Sequence, residues 1–454
     1  MKKDAGSPDQ GWYQNALAAA GVLVLVAAWA VWSLILGSPP ERAAAPGGGG
    51  GGTVQEMAAA EAFARDEQAA AGRRERSLIR TGPQRLSGRI NVDELRAALV
   101  GEGAVPGEVL LVFRSPEELA AFRARAGLYG LKILGADARL NAARVEYDSL
   151  GRLADELNDH PNSYENVAAN LVARIPGLPQ AVPQVDAANQ GGLAPFNEGV
   201  MASIGAEGDR SGWGKGVKVA VLDSGVADHE TLSGVQIEHL KLVEAGPNPN
   251  GHGTSMASLI SGREAPAEGV APGVQLLDIW VADEKGMSNT ALVAEGIMAA
   301  VDRGAKVINI SLGSFGSSLM LQNAVQYAMN QNVIIVAAAG NEQLTQLAYP
   351  AAYPGVLSVG AVDANKKQAF FSNSGKGLVI SAPGVGILSA YPDGQIVLGS
   401  GTSQATAITS GAVATLLGRG YTAAEVVKLL TQNAASTGAP KEQVGAGFLQ
   451  IPKR

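Results

Sequence analysis

The hydrophobic positions of the chain first form one long uninterrupted run. Residues 16–36 are almost entirely apolar and include Trp29 and Trp32. A run of about 20 apolar residues suits a helix that crosses the hydrocarbon core of a bilayer, whereas a buried soluble helix of that length usually carries a polar stripe. The pattern therefore predicts a transmembrane anchor at residues 16–36, preceded by a short N-terminal segment at residues 1–15.

The charges that flank this run set its expected orientation. Lys2 and Lys3 precede it, and the first basic residue after it is Arg42. Under the positive-inside rule the N-terminus is cytoplasmic and the rest of the chain is extracytoplasmic. The alternative is a cleaved signal peptide, which would make the protein secreted, because the alanines at 43–45 could serve as a cleavage site. The run is longer than the usual signal core, which favours a retained single-pass anchor.

Residues 37–106 lack the periodicity of a packed domain. Pro46 and the six glycines Gly47–Gly52 indicate a flexible linker. Residues 54–80 are rich in Ala, Glu and Arg without a firm apolar stripe, which suits an exposed helix or a stalk. We therefore expect a Gly/Ala-rich linker and stalk at 37–106.

Short apolar runs and helical patterns alternate between residues 107 and 175. Ser115 is a suitable N-cap for the first helix, and Leu119 and Phe122 lie on one face of it. The order β-α-β-β-α-β predicts a small ferredoxin-like α+β domain, with an unrelated α+β binding domain as the alternative. The predicted elements are strand 109–113, helix 116–126, strands 131–134 and 143–147, helix 150–157 and strand 167–172.

A polar segment rich in proline and glycine follows at residues 176–198. It contains Pro176, Pro179, Pro183 and Pro195 and has little periodicity. Such a segment has no apolar surface to bury, so we expect a linker that is readily cleaved.

The remainder, residues 199–454, alternates apolar strands with helical patterns. Fully apolar runs are typical of strands buried on both faces of a parallel sheet, so the alternation predicts an α/β domain with helices on both faces. Sites in such sheets lie at the carboxyl ends of strands, where Asp223 and Asn341 fall. The predicted strands are 217–222, 274–281, 306–310, 333–338 and 356–362; predicted helices include 290–301, 319–329 and one that opens at Thr422 with a capping box.

Composition narrows the class of protein. A chain of 454 residues predicts two folded units plus linkers, and 46% apolar with 17% charged residues suits a well-buried core. The net charge is −7, whereas a nucleic-acid-binding protein needs a basic face, so we expect no nucleic-acid partner. The absence of cysteine excludes disulfides and thiolate metal sites.

Three reactive side chains stand beside glycines in the second half of the chain. Asp223 lies within Val-Ala-Val-Leu-Asp-Ser-Gly, His252 within Asn-Gly-His-Gly-Thr, and Ser403 within Gly-Thr-Ser-Gln-Ala. A serine becomes a nucleophile only when a base takes its proton. We therefore assign Ser403 as nucleophile, His252 as general base and then acid, and Asp223 as the carboxylate that orients His252.

Asn341 supplies a fourth group, a carboxamide at the end of Val-Ala-Ala-Ala-Gly-Asn. With the backbone N–H of Ser403, expected at the start of a helix, it would stabilise an oxyanion.

Each of these four residues also has an ordinary interpretation when it is taken alone. Ser403 could be an N-cap, His252 a loop histidine, and the other two turn residues. Their ordered combination favours catalysis. His229 and His239 are better interpreted as exposed loop histidines.

The four segments and their order resemble the subtilisin-like serine proteases, the subtilases, over roughly residues 194–454. The resemblance implies an endopeptidase that acts through an acyl-enzyme and requires no cofactor, and it implies protein or peptide substrates. By its position, the 107–175 domain resembles a subtilase propeptide, a partner that inhibits its own catalytic domain. Structural Ca²⁺ is also implied, without identifiable ligands.

The same resemblance indicates where substrate would bind. Ser311, Leu312 and Gly313 would form the edge that pairs with the substrate backbone. Ala338 and Gly340 would join them in lining the primary specificity pocket. Three positions depart from the usual family pattern and leave the specificity open: Gln404, Ala407 and Ser255.

These observations favour a serine endopeptidase made as a membrane-tethered zymogen. The alternative is a catalytically silent, membrane-anchored binding or scaffold protein on the same fold. Because all four catalytic positions are filled, the sequence favours the enzyme.

Overall fold

The computed structural model describes residues 89–175, 193–244, 246 and 250–453. The predicted anchor at 16–36 and most of the 37–106 linker lie outside these ranges. Within the described ranges, no helix combines the length and the apolar character that crossing a bilayer requires.

The N-terminal domain begins before the predicted residue 107. Its first helix, α1, has a complete capping box in which Asn91 accepts from the Glu94 backbone and Glu94 from that of Asn91. Ser115 caps the next helix, as its position suggests. The elements are α1 (Val92–Leu99), β1 (Ala104–Phe113), α2 (Pro116–Arg125), β2 (Leu131–Asp137), β3 (Ala142–Tyr147), α3 (Leu150–Asp159) and β4 (Tyr164–Arg174).

The four strands of this domain form an antiparallel sheet in the order β2-β3-β1-β4. Successive side chains of a strand face opposite sides of the sheet. Accordingly, Val109 and Leu111 of β1 pack with the domain's own helices, whereas Leu110 and Val112 join a core formed by the larger domain. One face of the sheet therefore lies on the larger domain.

The larger domain alternates strands and helices, as the sequence predicts. Its strands are β5 (Lys218–Asp223), β6 (Ile237–Lys241), β7 (Gln275–Trp280), β8 (Met287–Asn289), β9 (Val307–Ile310), β10 (Ile334–Ala338), β11 (Leu357–Val362), β12 (Ile380–Pro383), β13 (Ile387–Tyr391) and β14 (Gln395–Gly399). Its helices are α4 (Val200–Ser203), α5 (His252–Ser261), α6 (Thr290–Asp302), α7 (Leu319–Asn330), α8 (Thr402–Gly418), α9 (Ala423–Asn433) and α10 (Lys441–Val444).

Seven of these strands form a fully parallel sheet in the order β12-β11-β10-β9-β5-β7-β6. Along β5, Val219 and Val221 pack into the core that contains α5 and α8 residues, while Ala220 and Leu222 pack into the core on the other face with α6 and α7. The predicted parallel sheet with helices on both faces is confirmed. All seven strands end at one edge, so Asp223 and the residues after β9 and β10 are brought to the same rim.

The end of the predicted linker packs against the larger domain. Phe196 is buried and its ring stacks on Phe448 at a centroid distance of 6.1 Å. The Ala194 N–H donates to the Asp363 carboxylate at 3.1 Å, and the Phe196 N–H donates to the Val385 carbonyl at 2.9 Å. Residues 193–198, assigned above to the linker, therefore lie on the larger domain.

Candidate active site

Asp223 and His252 form a buried pair at the rim of the parallel sheet. Nδ1 of His252 lies 3.0 and 2.9 Å from the two carboxylate oxygens of Asp223. The His252 side chain is 2% exposed and that of Asp223 is 0% exposed, so water does not screen the pair. Asp223 Oδ1 also accepts from the backbone N–H and the hydroxyl of Ser224, at 2.8 and 3.1 Å. Because a carboxylate can only accept, its contact with Nδ1 identifies that atom as the protonated nitrogen of His252.

The position of His252 depends on the preceding residue, Gly251, where a residue with a β-carbon does not fit. Gly251 caps α5 with φ 97° and ψ −24°, a left-handed conformation that other residues seldom adopt. A β-carbon there would also collide with the ring of Tyr391. The Tyr391 hydroxyl donates to the Asn250 carbonyl at 2.9 Å, so the β13–β14 hairpin holds the start of the histidine helix.

Ser403 is the second residue of α8, a helix that is buried from Thr402 to Leu416. The first N–H groups of a helix have no partner within it and can donate to an anion. The Ser403 hydroxyl donates to the Ser311 carbonyl at 3.3 Å. Among the described residues its hydrogen bond goes to that carbonyl and not to His252.

Asn341 lies beside the start of α8, three residues after β10 ends. Its Oδ1 accepts from the backbone N–H and the hydroxyl of Thr402, at 2.9 and 2.8 Å. Because a backbone N–H can only donate, these bonds identify the oxygen and leave Nδ2 as the end available to a ligand. Burial raises the pKa of the neighbouring Glu342. Hydrogen bonds, including one from Asn373, lower this pKa but do not cancel the effect of burial.

The residues assigned to substrate binding lie next to this group, at the ends of β9 and β10. Ser311 is fully buried, Leu312 belongs to the core, and the backbone of Gly313 pairs with Arg174 of the N-terminal domain. Ala338 is 5% exposed at the end of β10. Gly340 has φ 108°, and a β-carbon there would collide with the Asn373 carboxamide. This group is therefore contiguous with Ser403, whose hydroxyl contacts the Ser311 carbonyl, and with Asn341, which follows Gly340.

Two histidine interpretations are each wrong in one respect, because His229 lies in a loop but is buried, and His239 is half exposed but lies on a strand. His229 is buried, and its ring nitrogens contact Thr231 Oγ1 at 3.0 Å and the Gln395 carbonyl at 3.1 Å. His239 lies on β6 and pairs with the buried Asp278 at 2.8 Å. β6 is an edge strand of mixed polarity, so its sequence lacks the apolar run that identified its neighbours.

Two residues with roles at the site carried no expectation from the sequence. Thr402, which fixes the Asn341 carboxamide, could have been found because it stands inside the Gly-Thr-Ser segment. Ser224, which donates to Asp223, likewise follows the predicted carboxylate directly.

The three residues that depart from the family pattern are all buried in the structure. The Ser255 hydroxyl donates to the Ala390 carbonyl at 2.8 Å and thereby ties α5 to the β13–β14 hairpin. The buried side chain of Gln404 fills space next to Gly399 and Gly401 that a β-carbon at either glycine would occupy. Ala407 is fully buried in the α8 core.

No group of three or more His, Asp or Glu side chains that could hold a metal ion occurs in the part of the chain that the structure describes. No calcium ligand is assigned.

The parallel sheet and the groups at its rim are those of a subtilisin-like domain. Residues 214–447 match the Peptidase_S8 model, the subtilase family. This range is about half of the chain, and the chain belongs to that family.

Relatives and solved structures agree with this assignment. The chain is 38% identical over 239 residues to a thermostable alkaline protease of Halalkalibacterium halodurans, covering 51% of this chain and 66% of that protein. It is 36% identical over 220 residues to thermitase of Thermoactinomyces vulgaris, covering 47% and 79%. The chain thus spans just under two thirds of the first relative.

One solved structure extends the likeness. The crystal structure of fervidolysin from Fervidobacterium pennivorans, a keratinolytic enzyme related to subtilisin, superimposes with a TM-score of 0.65 at 25% identity. It covers 78% of this chain and 61% of that one. The share of this chain is larger than residues 214–447 can supply, so the likeness reaches beyond the family match.

Proposed function

We propose that the chain is a serine endopeptidase that hydrolyses peptide bonds through Asp223, His252 and Ser403. The observation that carries this proposal is the buried pair in which His252 Nδ1 lies within 3.0 Å of both Asp223 oxygens. An imidazole held in this way keeps one tautomer, and the carboxylate stabilises its protonated form. It is equipped to act as a base and then as an acid.

In the proposed reaction, the Ser403 hydroxyl turns from the Ser311 carbonyl to His252 and gives its proton to Nε2. Ser403 Oγ then attacks the scissile carbonyl carbon, and negative charge develops on the carbonyl oxygen. Asn341 Nδ2 and the Ser403 N–H donate to that oxygen. His252 returns the proton to the leaving amine, and the acyl-enzyme is hydrolysed by a water that the same imidazole deprotonates.

The N-terminal domain acts, in this proposal, as the enzyme's own propeptide. Support comes from the end of β4, where Arg174 and Gly313 exchange two backbone hydrogen bonds of 3.0 and 3.1 Å. The Ile175 N–H donates to the Gly286 carbonyl at 2.9 Å, and β4 pairs with β8 in antiparallel fashion. In this proposal the residues at the end of β4 occupy the edge at which a substrate backbone would pair by β-strand addition. A substrate must displace these residues before it can bind.

The same domain is proposed to assist folding. Parallel sheets form slowly, because long loops must close before the strands pair. The sheet of the N-terminal domain lies on the face of the catalytic domain built by α6 and α7. A partner that organises these helices would lower the barrier to forming the β5–β9 core.

Activation then requires a cut between Ile175 and Leu193. The test is expression of the full chain with Ser403→Ala, which should stay intact while the wild type is cut. Ser436→Ala, an exposed serine far along the chain from the site, serves as the matched control and should be cut like the wild type. Equal processing of the wild type and Ser403→Ala would rule out self-cleavage.

We also propose that residues 16–36 hold the catalytic domain on the extracytoplasmic side of a membrane. The support is their uninterrupted apolar character and the two preceding lysines. The N-terminal residue of the membrane-bound precursor tests the idea. A precursor that starts just after Ala45, recovered without membranes, would favour a secreted enzyme.

A further inference from the structure

Asp278 is a charged residue inside an otherwise apolar strand. It lies in β7, whose sequence is Gln-Leu-Leu-Asp-Ile-Trp, and its side chain is fully buried. A buried carboxylate costs free energy unless it is hydrogen-bonded or paired. Replacement of such an ion by apolar residues often leaves stability unchanged or raises it. Its presence here therefore calls for a reason beyond packing.

The Asp278 carboxylate is held by three donors on one oxygen. Oδ2 lies 2.8 Å from His239 Nδ1, and it accepts from Trp280 Nε1 at 2.6 Å and from the Val226 N–H at 3.1 Å. Oδ1 is buried without a hydrogen-bond partner. Burial raises the pKa of Asp278, and the hydrogen bond from His239 opposes that effect most strongly. The bond to Asp278 raises the pKa of the half-exposed His239 in turn, with a smaller contribution from Asp228.

The Asp278 and Trp280 side chains contact the loop that lies next to Asp223 and His252. Gly225, with φ 93°, is so close to the indole of Trp280 that a β-carbon at 225 would overlap the ring. On its other side the Gly225 carbonyl abuts Gly253, the residue that follows His252. The Ala227 N–H donates to Thr254 Oγ1 at 2.9 Å. The loop 224–227 therefore lies between the Asp278–Trp280 side chains and the helix that carries His252.

The same strand also holds the backbone of Asp223. Residue 280 is paired with Asp223 in the β5–β7 register. The N–H groups of Val281 and Ala282 donate to the Asp223 carbonyl at 2.9 and 3.1 Å. A shift of Trp280 would thus be transmitted to both members of the catalytic pair.

We propose that Asp278, paired with His239, is a positioning residue that locks Trp280 and the loop 224–227 and thereby holds Asp223 and His252 in their mutual geometry. The inference rests on the serine-protease function proposed above. Asp278 does not touch substrate; it acts through Trp280 and Val226. A rate near its maximum requires the reacting groups to keep their positions within a fraction of an ångström.

The test compares three variants of the full-length, self-processing chain. Asp278→Asn keeps the shape and removes the charge, and His239→Gln removes the cationic partner at a half-exposed position. Glu238→Gln is the matched control, since it breaks exposed ion pairs of the same strand with Lys218 and Arg303. Two readouts are taken: the acylation rate and KM with p-nitrophenyl acetate, and the NMR resonance of the proton on His252 Nδ1.

Asp278→Asn should lower the acylation rate about tenfold while KM changes less than about twofold. It should also shift the NMR resonance of the proton on His252 Nδ1, because the hydrogen bond of that proton to Asp223 loses its alignment. His239→Gln should change both in the same direction, by about threefold in rate. Glu238→Gln should match the wild type.

The proposal is overturned if Asp278→Asn and His239→Gln both equal Glu238→Gln in rate and in the His252 Nδ1 proton resonance, whatever their melting temperatures. If Asp278→Asn does not fold, His239→Gln decides by the same two readouts. A wild type without esterase activity would refute the proposed function instead, and the His252 Nδ1 proton resonance would still decide the positioning role.

Discussion

Gly135 of β2 lies against the carboxylate of Glu295 in α6, with no room for a β-carbon between them. The first residue belongs to the N-terminal domain and the second to the catalytic domain. Glu295 Oε1 is buried without a hydrogen-bond partner. The contact therefore combines tight packing with a carboxyl group that has one unpartnered oxygen, and the packing and the carboxyl group can be tested separately.

Packing at this contact predicts that Gly135→Ala destabilises the docked domains. Introduced in the uncut Ser403→Ala chain, it should lower the free energy of unfolding by about 1 kcal/mol, since the buried carboxylate must move. Urea unfolding measures the change. Gly127→Ala is the control, because its β-carbon would meet no atom within 4 Å. Equal stability of the two variants would mean that the interface adjusts freely.

The buried carboxyl predicts a pH dependence of the same uncut chain. Burial between the domains raises the pKa of Glu295 above its ordinary value of 4.5. A raised folded-state pKa gives a contribution to stability that is present below the unfolded value and is lost as the pH rises through the folded value. The Ser403→Ala chain should therefore lose stability relative to Ser403→Ala/Glu295→Gln as the pH rises above 4.5.

Glu108 supplies the contrast for that experiment. Burial would raise its pKa, but hydrogen bonds from Arg144 and Asn170 hold the pKa below the ordinary value. Its contribution to stability is present above the unfolded value and is lost as the pH falls through the folded one. Unfolding of the Glu108→Gln variant across the same pH range should show the opposite trend. A parallel trend in both variants would contradict the assignment of the Glu295 effect.

The orientation of Asn341 predicts a role for Thr402. Thr402→Val removes the hydroxyl that donates to Asn341 Oδ1 and keeps the backbone donor. The carboxamide should then be misoriented for part of the time, and kcat should fall by about tenfold, less than the 10²–10³ expected when an oxyanion donor is removed outright. KM should change little, because the bond forms in the transition state.

Thr402→Ser is the control for this substitution, since it retains both donors and should keep nearly full kcat. The assignment fails if the valine and serine variants have the same kcat on p-nitrophenyl acetate.

The parallel strands were predictable because burial on both faces leaves them apolar throughout. The predicted ends of β5, β9, β10 and β11 lie within two residues of the ends that the structure shows. The edge strand β6 escaped prediction because half of its side chains face solvent, and the pattern Ile-Glu-His-Leu-Lys does not distinguish a strand from a loop. The β13–β14 hairpin did carry a signal: Asp393 and Gly394 form an Asp-Gly turn with φ 64° and 68° between two apolar runs.

The candidate site was predictable as a set of residues but not as a network. Glycine-flanked Asp223, His252 and Ser403 are identifiable in the sequence because their neighbours must let chain and substrate approach closely. The pairing of His239 with Asp278 was not, because it joins two strands that lie next to each other only in the folded sheet. The direction of the Ser403 hydroxyl depends on a rotamer, about which the sequence carries no information.

Covalent labelling of the processed catalytic domain with a fluorophosphonate tests the central claim most directly. We expect one label per chain, located on Ser403 by peptide mapping, and we expect His252→Ala to slow the labelling of an otherwise folded domain severely. A folded domain freed of residues 89–175 that remains unlabelled at Ser403 would contradict the account.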